Sequence, residues 1–462
     1  MKITDFKGKK ITVMGLGLNG GGVGITRFLS ENGARVIATD LKEESELGFS
    51  LEKLKNVENV EYVFGGHRDE DFLKADMVIK NPGVPWTNRY IQLALENNIP
   101  VEIDSSLFFK LCKNKIIGVT GTRGKTTTSS LIFNILEKAG KNPVKVGIGQ
   151  VSVLDQLSEL EPDSWVVFEL SSWRLSALGK YQLSPHVAVF TNIFQDHLNY
   201  YKNLEEYLAD KEYIFSNQKE TDFCVINEDN ETLRELEPKI KSQIIKFSDK
   251  EIGKGNAVYL SNDDICARDR DRVEKIMSKN EIKIPGEHNV KNVLASIGAT
   301  KFIGIENEFI REGIASFVGL PHHLELVRNF QGVRYYNDST ATSPDGAISG
   351  INSFDEPLVL IAGGSDKKLS MKELAEAIAG KIHKLVFLKG EGTDKIIQEL
   401  KNMGKEDDFI IADSMDEAVW QARKLSSEGD VVLLSPGTAS FGLFLNEFDR
   451  GDKFKKAVND LR

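Results

Sequence analysis

The chain has 462 residues, of which 40% are hydrophobic and 28% charged, and its formal net charge is −10. This length predicts two or three domains, and the acidic balance argues against a nucleic-acid-binding protein, which would carry a basic face. No window approaches the ~18 apolar residues of a membrane span and no signal-peptide pattern is present, so we expect a cytoplasmic protein without a membrane partner.

Short apolar runs, most of them ending in glycine, recur along the chain, and each is followed by a segment with helical periodicity. They are ITVMGLG (11–17), IIGVTG (116–121), WVVFEL (165–170), LVLIAGG (358–364) and VVLLSPG (431–437). Strands that alternate with helices indicate parallel sheets covered on both faces. The sequence therefore predicts an α/β protein with three domains, at residues 1–110, 111–319 and 320–462.

The first glycine loop, VMGLGLNGGGVG, carries the pattern G-x-G-x-x-G at Gly15, Gly17 and Gly20, between a predicted strand and a predicted helix. Asp40 ends the next predicted strand, RVIATD. This context is typical of a Rossmann-like domain, in which backbone N–H groups at a helix N-terminus hold a diphosphate. It suggests an NAD-dependent dehydrogenase, and a tight turn without a ligand is the alternative.

A second glycine loop, GVTGTRGKTTTSS (118–130), resembles a phosphate-binding loop but has Val119 where the pattern G-x-x-x-x-G-K-[ST] has glycine. Gly121, Gly124, Lys125 and Thr126 remain, after a predicted strand and at the start of a helix. Lys125 is expected to contact the β- and γ-phosphates of a nucleotide, and the Thr126 hydroxyl to bind Mg²⁺. A plain dehydrogenase would leave these residues without a role.

Polar residues follow two further strands of this region. Glu169 lies at the end of the strand predicted from WVVFEL, one residue before Leu170, and Asp196 and His197 follow the run VFTNIF. Ligands bind at the carboxyl ends of parallel strands. A lone histidine is more often a surface or core residue, but beside a phosphate loop and a strand-end glutamate we interpret His197 as a metal or phosphate ligand.

Seven motifs in order resemble those of the ATP-dependent Mur ligases, which build the peptide stem of bacterial cell-wall precursors. The motifs are TGTRGKTTT, FELSS, QDHL, EHNVKNVLAS, GLPHHLE, NDSTATSP and LSPGTASFG. Within the family, NPGVP (81–85), GLPHHLE (319–325) and NDSTAT (337–342) are most similar to the members that add D-glutamate to UDP-N-acetylmuramoyl-L-alanine. The resemblance accounts for the unusual phosphate loop, because the family pattern is T-G-T-x-G-K-[ST]-[ST]. It implies a Rossmann-like N-terminal domain, a central P-loop ATPase-like domain and a Rossmann-like C-terminal domain.

The resemblance also implies one substrate for each domain: the UDP-sugar for residues 1–110, ATP for 111–319 and the amino acid for 320–462. The implied UDP-sugar residues are Gly17, Leu18, Asn19, Asp40, Asn81 and Gly83. The implied ATP residues are Gly121, Thr122, Gly124, Lys125, Thr126, Thr127, Asn289, Asn292, His322, His323 and Asp338. The implied amino-acid residues are Thr342, Lys367, Ser440 and an aromatic, Phe448 or Phe444.

The reaction implied by the family is amide formation through an acyl phosphate, with two Mg²⁺ ions. The implied catalytic residues are Lys125, Glu169, His197 and Lys211, and the implied metal ligands are Thr126, Glu169, His197 and Lys211. Lys211, in LADKEYIF, matches a lysine that these ligases carry as a carbamate. Without the resemblance it would be read as a solvated residue on a helix face. We expect a monomer that binds only small molecules.

The sequence departs from the family pattern at three places. His323 stands where the family usually has arginine, which would make ATP affinity depend on pH. The segment KVGIGQV (145–151) lacks the asparagine that the family has there. The aromatic residue near the amino-acid site is shifted by one position. The alternatives are therefore a sister Mur ligase that adds L-glutamate or another amino acid, a folylpolyglutamate synthetase, a dehydrogenase and a non-catalytic module. A folylpolyglutamate synthetase would not need the first glycine loop, and a non-catalytic module would not need NDSTATSP.

Overall fold

The structure is a computed structural model that describes residues 1–18, 20–148, 151–194, 200–405 and 409–462. Two compact units divide the chain: Met1–Glu281 with Val290–Ile314, and Ile282–Asn289 with Ala315–Arg462. In these described ranges, no helix is long and apolar enough to cross a membrane.

The first unit begins with a parallel sheet. Its strands are β1 (Lys10–Met14), β2 (Arg35–Thr39), β3 (Val60–Val63), β4 (Met77–Lys80) and β5 (Val101–Glu102), in the order β3-β2-β1-β4-β5. The accompanying helices are α1 (Gly21–Glu31), α2 (Gly48–Glu52), α3 (Asp69–Leu73), α4 (Arg89–Glu96) and α5 (Asp104–Leu111). Ile11 and Val13 of β1 pack with Ile25 of α1, whereas Val78 of β4 packs with Ile91 of α4 in a separate cluster. Helices therefore bury both faces, as the apolar strands predict.

A larger sheet follows in the same unit. Its strands are β6 (Lys115–Thr120), β7 (Val144–Val146), β8 (Trp165–Glu169), β9 (Val187–Phe190), β10 (Phe223–Asn227), β11 (Gln243–Ser248), β12 (Ala257–Ser261), β13 (Asp264–Asp269) and β14 (Arg272–Ser278). The helices are α6 (Lys125–Lys138), α7 (Ser172–Lys180), α8 (Leu204–Glu212), α9 (Glu231–Arg234), α10 (Glu287–Lys301) and α11 (Asn307–Ser316), of which α10 belongs to this unit from Val290 onward and α11 up to Ile314. The strand order is β14-β13-β12-β11-β10-β9-β6-β8-β7, antiparallel only at β12-β13-β14 among the described residues.

The second unit holds one sheet with the order β15-β16-β20-β17-β18-β19. Its strands are β15 (Glu325–Phe330), β16 (Val333–Asn337), β17 (Leu358–Ala362), β18 (Ile382–Leu388), β19 (Phe409–Ala412) and β20 (Val431–Leu434), and its helices are α12 (Pro344–Ile351), α13 (Lys372–Lys381), α14 (Glu391–Asn402), α15 (Met415–Leu425) and α16 (Glu447–Asn459). Alternate residues of β17 enter two cores: Leu358 and Leu360 face one, and Val359 and Ile361 face the other.

The three sheets share one feature that positions the candidate sites. The strands β1, β6 and β20 each lie between two parallel neighbours: β2 and β4, β8 and β9, and β16 and β17. The loops that leave the carboxyl ends of three adjacent strands therefore meet at one edge of each sheet. This edge is where open α/β sheets bind ligands.

Candidate active site

The ligand-binding edge of the first sheet carries the glycine loop after β1 and the carboxylate of Asp40 after β2. Gly17, at φ 63°, donates its backbone N–H to Oδ2 of Asp40 at 2.9 Å. The other carboxylate oxygen of Asp40 accepts the N–H of Lys42 at 3.0 Å. Asp40 is 8% exposed, so its charge is partly withdrawn from water. The carboxylate thus fixes the loop, and its free lone pairs can still accept from a ligand hydroxyl.

The turn after β4 completes this edge. The Asn81 side chain accepts the N–H of Gly83 at 3.1 Å, and Asn81 lies against the glycine loop. A Cβ added to Gly15 would come within 2.9 Å of Asn81 Cβ, so only glycine fits this approach. The structure therefore brings the predicted residues Gly17, Asp40, Asn81 and Gly83 to one edge. Leu18 is exposed there, and Asn19 lies outside the described residues.

The phosphate-binding loop joins β6 to α6 and is held from two sides. The backbone N–H of Thr122 donates to the carbonyl of Asn192 at 3.0 Å, and that of Arg123 donates to the Asn192 side-chain oxygen at 2.9 Å. Gly124 has φ 78°, and an added Cβ would lie 2.3 Å from Oδ1 of Asn292 in α10. The loop is therefore fixed at the N-terminus of α6, where the helix dipole and N–H groups favour a phosphate.

Two predicted catalytic lysines converge on one carbonyl of this loop. Lys125 Nζ donates to the carbonyls of Gly121 at 3.0 Å and Thr122 at 2.9 Å. Lys211 Nζ, from α8, also donates to Gly121 O at 2.9 Å and contacts Thr120 Oγ1 at 3.2 Å. Lys211 is 1% exposed, so the reading of this residue as a solvated helix face is wrong. Both ammonium groups thus donate to the same carbonyl of the phosphate-binding loop.

Glu169 lies beside this loop, at the end of β8 next to β6. Its Oε2 atom is buried and accepts no hydrogen bond among the described residues. A buried carboxylate oxygen without a partner is unfavourable, and a divalent cation would satisfy it. Thr126 and Thr127, in the first turn of α6, are half-buried. His197 lies outside the described residues, within which no group of three or more His, Cys, Asp or Glu side chains is arranged to hold a metal.

Two of the implied ATP residues are asparagines of α10. Asn289 is 6% exposed and donates from Nδ2 to the carbonyl of Pro285 at 2.6 Å. The helix begins at Glu287, so Asn289 lies in its first turn. Asn292 is 5% exposed, and its Oδ1 accepts a hydrogen bond from Thr128 Oγ1 at 3.3 Å.

In the second unit, the loops after β16, β20 and β17 meet at the sheet edge. Lys367 Nζ donates to Thr342 Oγ1 at 2.8 Å. The backbones of Ser365 and Ala439 exchange hydrogen bonds of 3.0 and 3.1 Å, which ties the Lys367 loop to the loop that contains Ser440. A lysine and hydroxyl groups at one edge form a suitable site for a carboxylate. Thr342, Lys367 and Ser440 are therefore brought to the same three adjacent loops.

The predicted nucleotide residues of this unit differ in accessibility. Asp338 is buried and accepts a hydrogen bond from Ser435 Oγ at 2.7 Å, and burial raises its pKa to about 7. His322 is 7% exposed, and its Nδ1 lies 2.9 Å from Asn337 Nδ2; burial lowers the pKa of His322, which favours the neutral ring. His323 is exposed.

The two candidate aromatic residues, Phe444 and Phe448, differ in solvent exposure. Phe444 is 9% exposed and belongs to the hydrophobic core of the sheet. Phe448 is 40% exposed and lies edge-on to the His322 ring, with the centroids 5.7 Å apart. Phe448 is therefore the aromatic that a small ligand at this edge can reach.

Sequence reasoning missed Arg450, which is 0% exposed. It donates to Ser339 Oγ at 3.0 Å, to Ser339 O at 2.8 Å and to Thr438 O at 3.3 Å, and burial lowers its pKa to about 10. It thus joins the loop after β16 to the loop after β20. The available signal was spacing: Arg450 shares the buried face of α16 with Phe454 and Val458, at i+4 and i+8.

Three family models match the chain in order. They are the Mur ligase MurD-like N-terminal domain over residues 9–102, the Mur ligase middle domain over residues 119–300 and the Mur ligase glutamate ligase domain over residues 322–437. The chain belongs to the Mur ligase family. The predicted family and the predicted three-domain α/β architecture are confirmed, and the dehydrogenase alternative is wrong.

Relatives of this Mur ligase match along its full length. The UDP-N-acetylmuramoylalanine--D-glutamate ligase of Roseiflexus sp. (strain RS-1) is 39% identical, over 98% of this chain and 99% of the relative. The enzyme of the same name from Clostridioides difficile (strain 630) is also 39% identical, over 99% of this chain and 100% of the relative. The crystal structure of UDP-N-acetylmuramate-alanine ligase MurC from Thermotoga maritima has a TM-score of 0.59 at 22% identity, over 98% of this chain and 99% of that chain. This structural likeness shows the fold.

Proposed function

We propose that this Mur ligase joins D-glutamate to UDP-N-acetylmuramoyl-L-alanine, with ATP as the energy source, in peptidoglycan precursor synthesis. The observation that carries the chemistry is the convergence of Lys125 and Lys211 on Gly121 O, beside the unpartnered oxygen of Glu169. Cations and a cation-binding carboxylate at one phosphate loop suit transfer of a phosphoryl group. The 39% identity to two relatives named as D-glutamate ligases, over 98% and 99% of this chain, supports the choice of substrates.

In the proposed reaction, the carboxylate of the alanyl group attacks the γ-phosphorus of ATP, and the bond to the β,γ-bridging oxygen breaks. The products of this step are an acyl phosphate and ADP. The amine of D-glutamate then attacks the acyl carbon, and collapse of the tetrahedral adduct expels inorganic phosphate. A carboxylate has no adequate leaving group by itself, and phosphorylation supplies one. Lys125 neutralises phosphate charge during the first step, and the fixed loop orients the nucleotide.

Mg²⁺ fits the residues beside the loop, because the buried Oε2 of Glu169 lacks a partner and oxygen ligands suit this ion. We propose Thr126 and Glu169 as ligands of one ion, and His197 and Lys211 as ligands of a second. Bound Mg²⁺ would supply neutralisation of phosphate charge.

Lys211 is also the proposed carbamate. The Lys211 ammonium group first loses one proton; the neutral amine then adds CO₂, which forms an N–C bond and releases a second proton, so that an anion replaces a cation. The carbamate nitrogen would keep one N–H for the carbonyl of Gly121, and its two oxygens would be new acceptors. Nearly complete burial of Lys211 supports a role at the centre rather than on the surface.

For the remaining substrates, we propose the two other sheet edges. Residues 1–110 bind the UDP-sugar through Gly17, Leu18, Asn19, Asp40, Asn81 and Gly83, and residues 111–319 bind ATP. Residues 320–462 bind D-glutamate through Thr342, Lys367, Ser440 and Phe448, and contribute His322, His323 and Asp338 to the nucleotide. The hydrogen bond between Lys367 and Thr342 supports this assignment, since both groups can turn to an incoming carboxylate.

We further propose that the active form is a monomer in the cytoplasm. Each proposed ligand edge is built by residues of a single chain, so the chemistry requires no second copy. ATP, the co-substrate, is a cytoplasmic compound.

The test is phosphate release with ATP, Mg²⁺ and UDP-N-acetylmuramoyl-L-alanine, with D-glutamate, L-glutamate or no amino acid. Release that depends on D-glutamate is the expected result, and release only with L-glutamate would reassign the amino acid. Lys125→Ala is expected to lower turnover by at least about a hundredfold, the size of effect seen when one charge-stabilising donor is removed. Full turnover by this variant would contradict the loop assignment.

A further inference from the structure

Lys80 is a buried lysine that the proposed reaction does not use. It ends β4, immediately before Asn81, and is 0% exposed. The three preceding strand residues are apolar, so stability alone would favour another apolar side chain here. In the described part of the chain, no carboxylate oxygen lies within 4 Å of Lys80 Nζ. We therefore look for a role of the Lys80 ammonium group other than stabilising the fold, and its contacts indicate that role.

The ammonium group binds the turn that follows it. Lys80 Nζ donates to the carbonyl of Val84 at 2.8 Å and to that of Pro82 at 3.4 Å. Both Pro82 and Pro85 lack an N–H group, which limits the hydrogen bonds this segment can make within itself. The turn itself is accessible: Gly83 is exposed, whereas the lysine beneath it is not. Lys80 thus stabilises the turn through hydrogen bonds from its buried side.

The same turn continues into Trp86, which connects it to α7. Lys80 Nζ lies 4.5 Å from the centroid of the Trp86 ring, and Trp86 Nε1 donates to Ser176 Oγ at 2.9 Å. The carboxylates of Asp104 and Asp210 attract the Lys80 ammonium group, which offsets part of its desolvation. Burial nevertheless lowers the pKa of Lys80 to about 8. The turn is thus held at one end by a buried cation and at the other by a hydrogen bond to α7.

We propose that Lys80 is a positioning residue for the sugar nucleotide: it holds the backbone of residues 82–84 in the conformation in which Asn81 and Gly83 bind this substrate. The inference rests on the proposed function, because that function assigns Asn81 and Gly83 to the UDP-sugar. Lys80 is fully buried and does not touch the substrate. Lys80 affects the substrate only through the conformation of the turn. It should therefore change the affinity for the UDP-sugar and leave the affinities for ATP and D-glutamate unchanged.

The experiment compares steady-state kinetics of the wild type, Lys80→Met and Lys180→Met. Lys180 is the matched control: its Nζ also lies 4.5 Å from the Trp86 centroid, but it is exposed and makes no contact with the turn carbonyls. In Lys80→Met we expect the KM for UDP-N-acetylmuramoyl-L-alanine to rise about tenfold, the effect of losing a hydrogen bond to a charged group. The KM values for ATP and D-glutamate and the kcat at saturation should stay within about twofold of wild type.

A residue that only stabilises the fold would lower the melting temperature and leave the three KM values in their wild-type ratio, so this outcome would overturn the proposal. An equal rise of the sugar-nucleotide KM in Lys180→Met would also overturn it, since the ring contact would then be the cause. Lys80→Gln, which keeps one donor, should give an intermediate KM. Failure of both Lys80 variants to fold would assign Lys80 to stability. Absence of wild-type turnover would instead contradict the proposed function.

Discussion

The buried oxygen of Glu169 leads to a prediction about metal-dependent stability. A buried polar oxygen without a hydrogen bond costs about 1–3 kcal/mol, and a bound cation would recover this free energy. For a domain of about 150–250 residues, 1 kcal/mol shifts the melting temperature by about 2–4 °C. Saturating Mg²⁺ should therefore raise the melting temperature of the wild type by roughly 2–12 °C, and Glu169→Gln should lose most of this shift.

The assay is differential scanning calorimetry in ADP with either MgCl2 or EDTA. Glu161→Gln is the matched control, because Glu161 is an exposed carboxylate of the same domain that binds Asn142 at the surface. It should keep the full Mg²⁺-dependent shift. An equal shift in the wild type and in Glu169→Gln would refute the reasoning, since the ion would then bind without this carboxylate.

Three further predictions concern other contacts. Gly124→Ala should impair ATP turnover much more than Gly140→Ala, because both residues have positive φ but only at Gly124 would the Cβ collide with a neighbour; equal losses would contradict this. Arg174→Met should destabilise the first unit by about 3–5 kcal/mol in urea unfolding, because it leaves the nearly buried carboxylate of Asp104 unpaired; a loss below about 1 kcal/mol would contradict it. Burial raises the pKa of Asp338 to about 7, above its unfolded value, so the stability that this group contributes should fall by about 3 kcal/mol as pH rises from 4 to 7. Asp338→Asn should flatten this slope in pH-dependent unfolding, and an unchanged slope would refute the prediction.

Local patterns were sufficient to predict the central parallel strands of the sheets, but not the antiparallel pairs β12–β13, β13–β14 and β15–β16. Apolar runs followed by glycine mark β1, β6, β17 and β20 because a strand buried on both faces needs apolar residues throughout, and the turn after it needs positive φ. Gly15 and Gly124 illustrate the second requirement, with φ of 92° and 78°. An added Cβ at either glycine would also collide with a neighbour from another element. Such constraints are visible within a few residues of sequence.

The buried cations could not be predicted in this way. Lys211 has the sequence surroundings of an exposed helix residue, and only the packing of α8 against the end of β6 places its amine on Gly121 O. Lys80 likewise depends on contacts formed after folding. For Arg450, the spacing to Phe454 and Val458 indicates a buried face, but the two loops that it joins are not visible in the sequence. Contacts of this kind join residues far apart in the chain, which single-sequence periodicity does not report.

The arrangement of the last sheet has a consequence for enzyme engineering. Three of the proposed amino-acid contacts, Thr342, Lys367 and Ser440, lie in loops after β16, β17 and β20, and the fourth, Phe448, lies in the first turn of α16. The strands themselves are buried in two cores. Selection of the amino acid and integrity of the scaffold thus depend on different segments. We expect loops grafted from a sister ligase at residues 340–343, 363–368 and 435–446 to change the amino acid that is accepted, provided that Arg450 and its partner Ser339 remain to anchor the first and last of them.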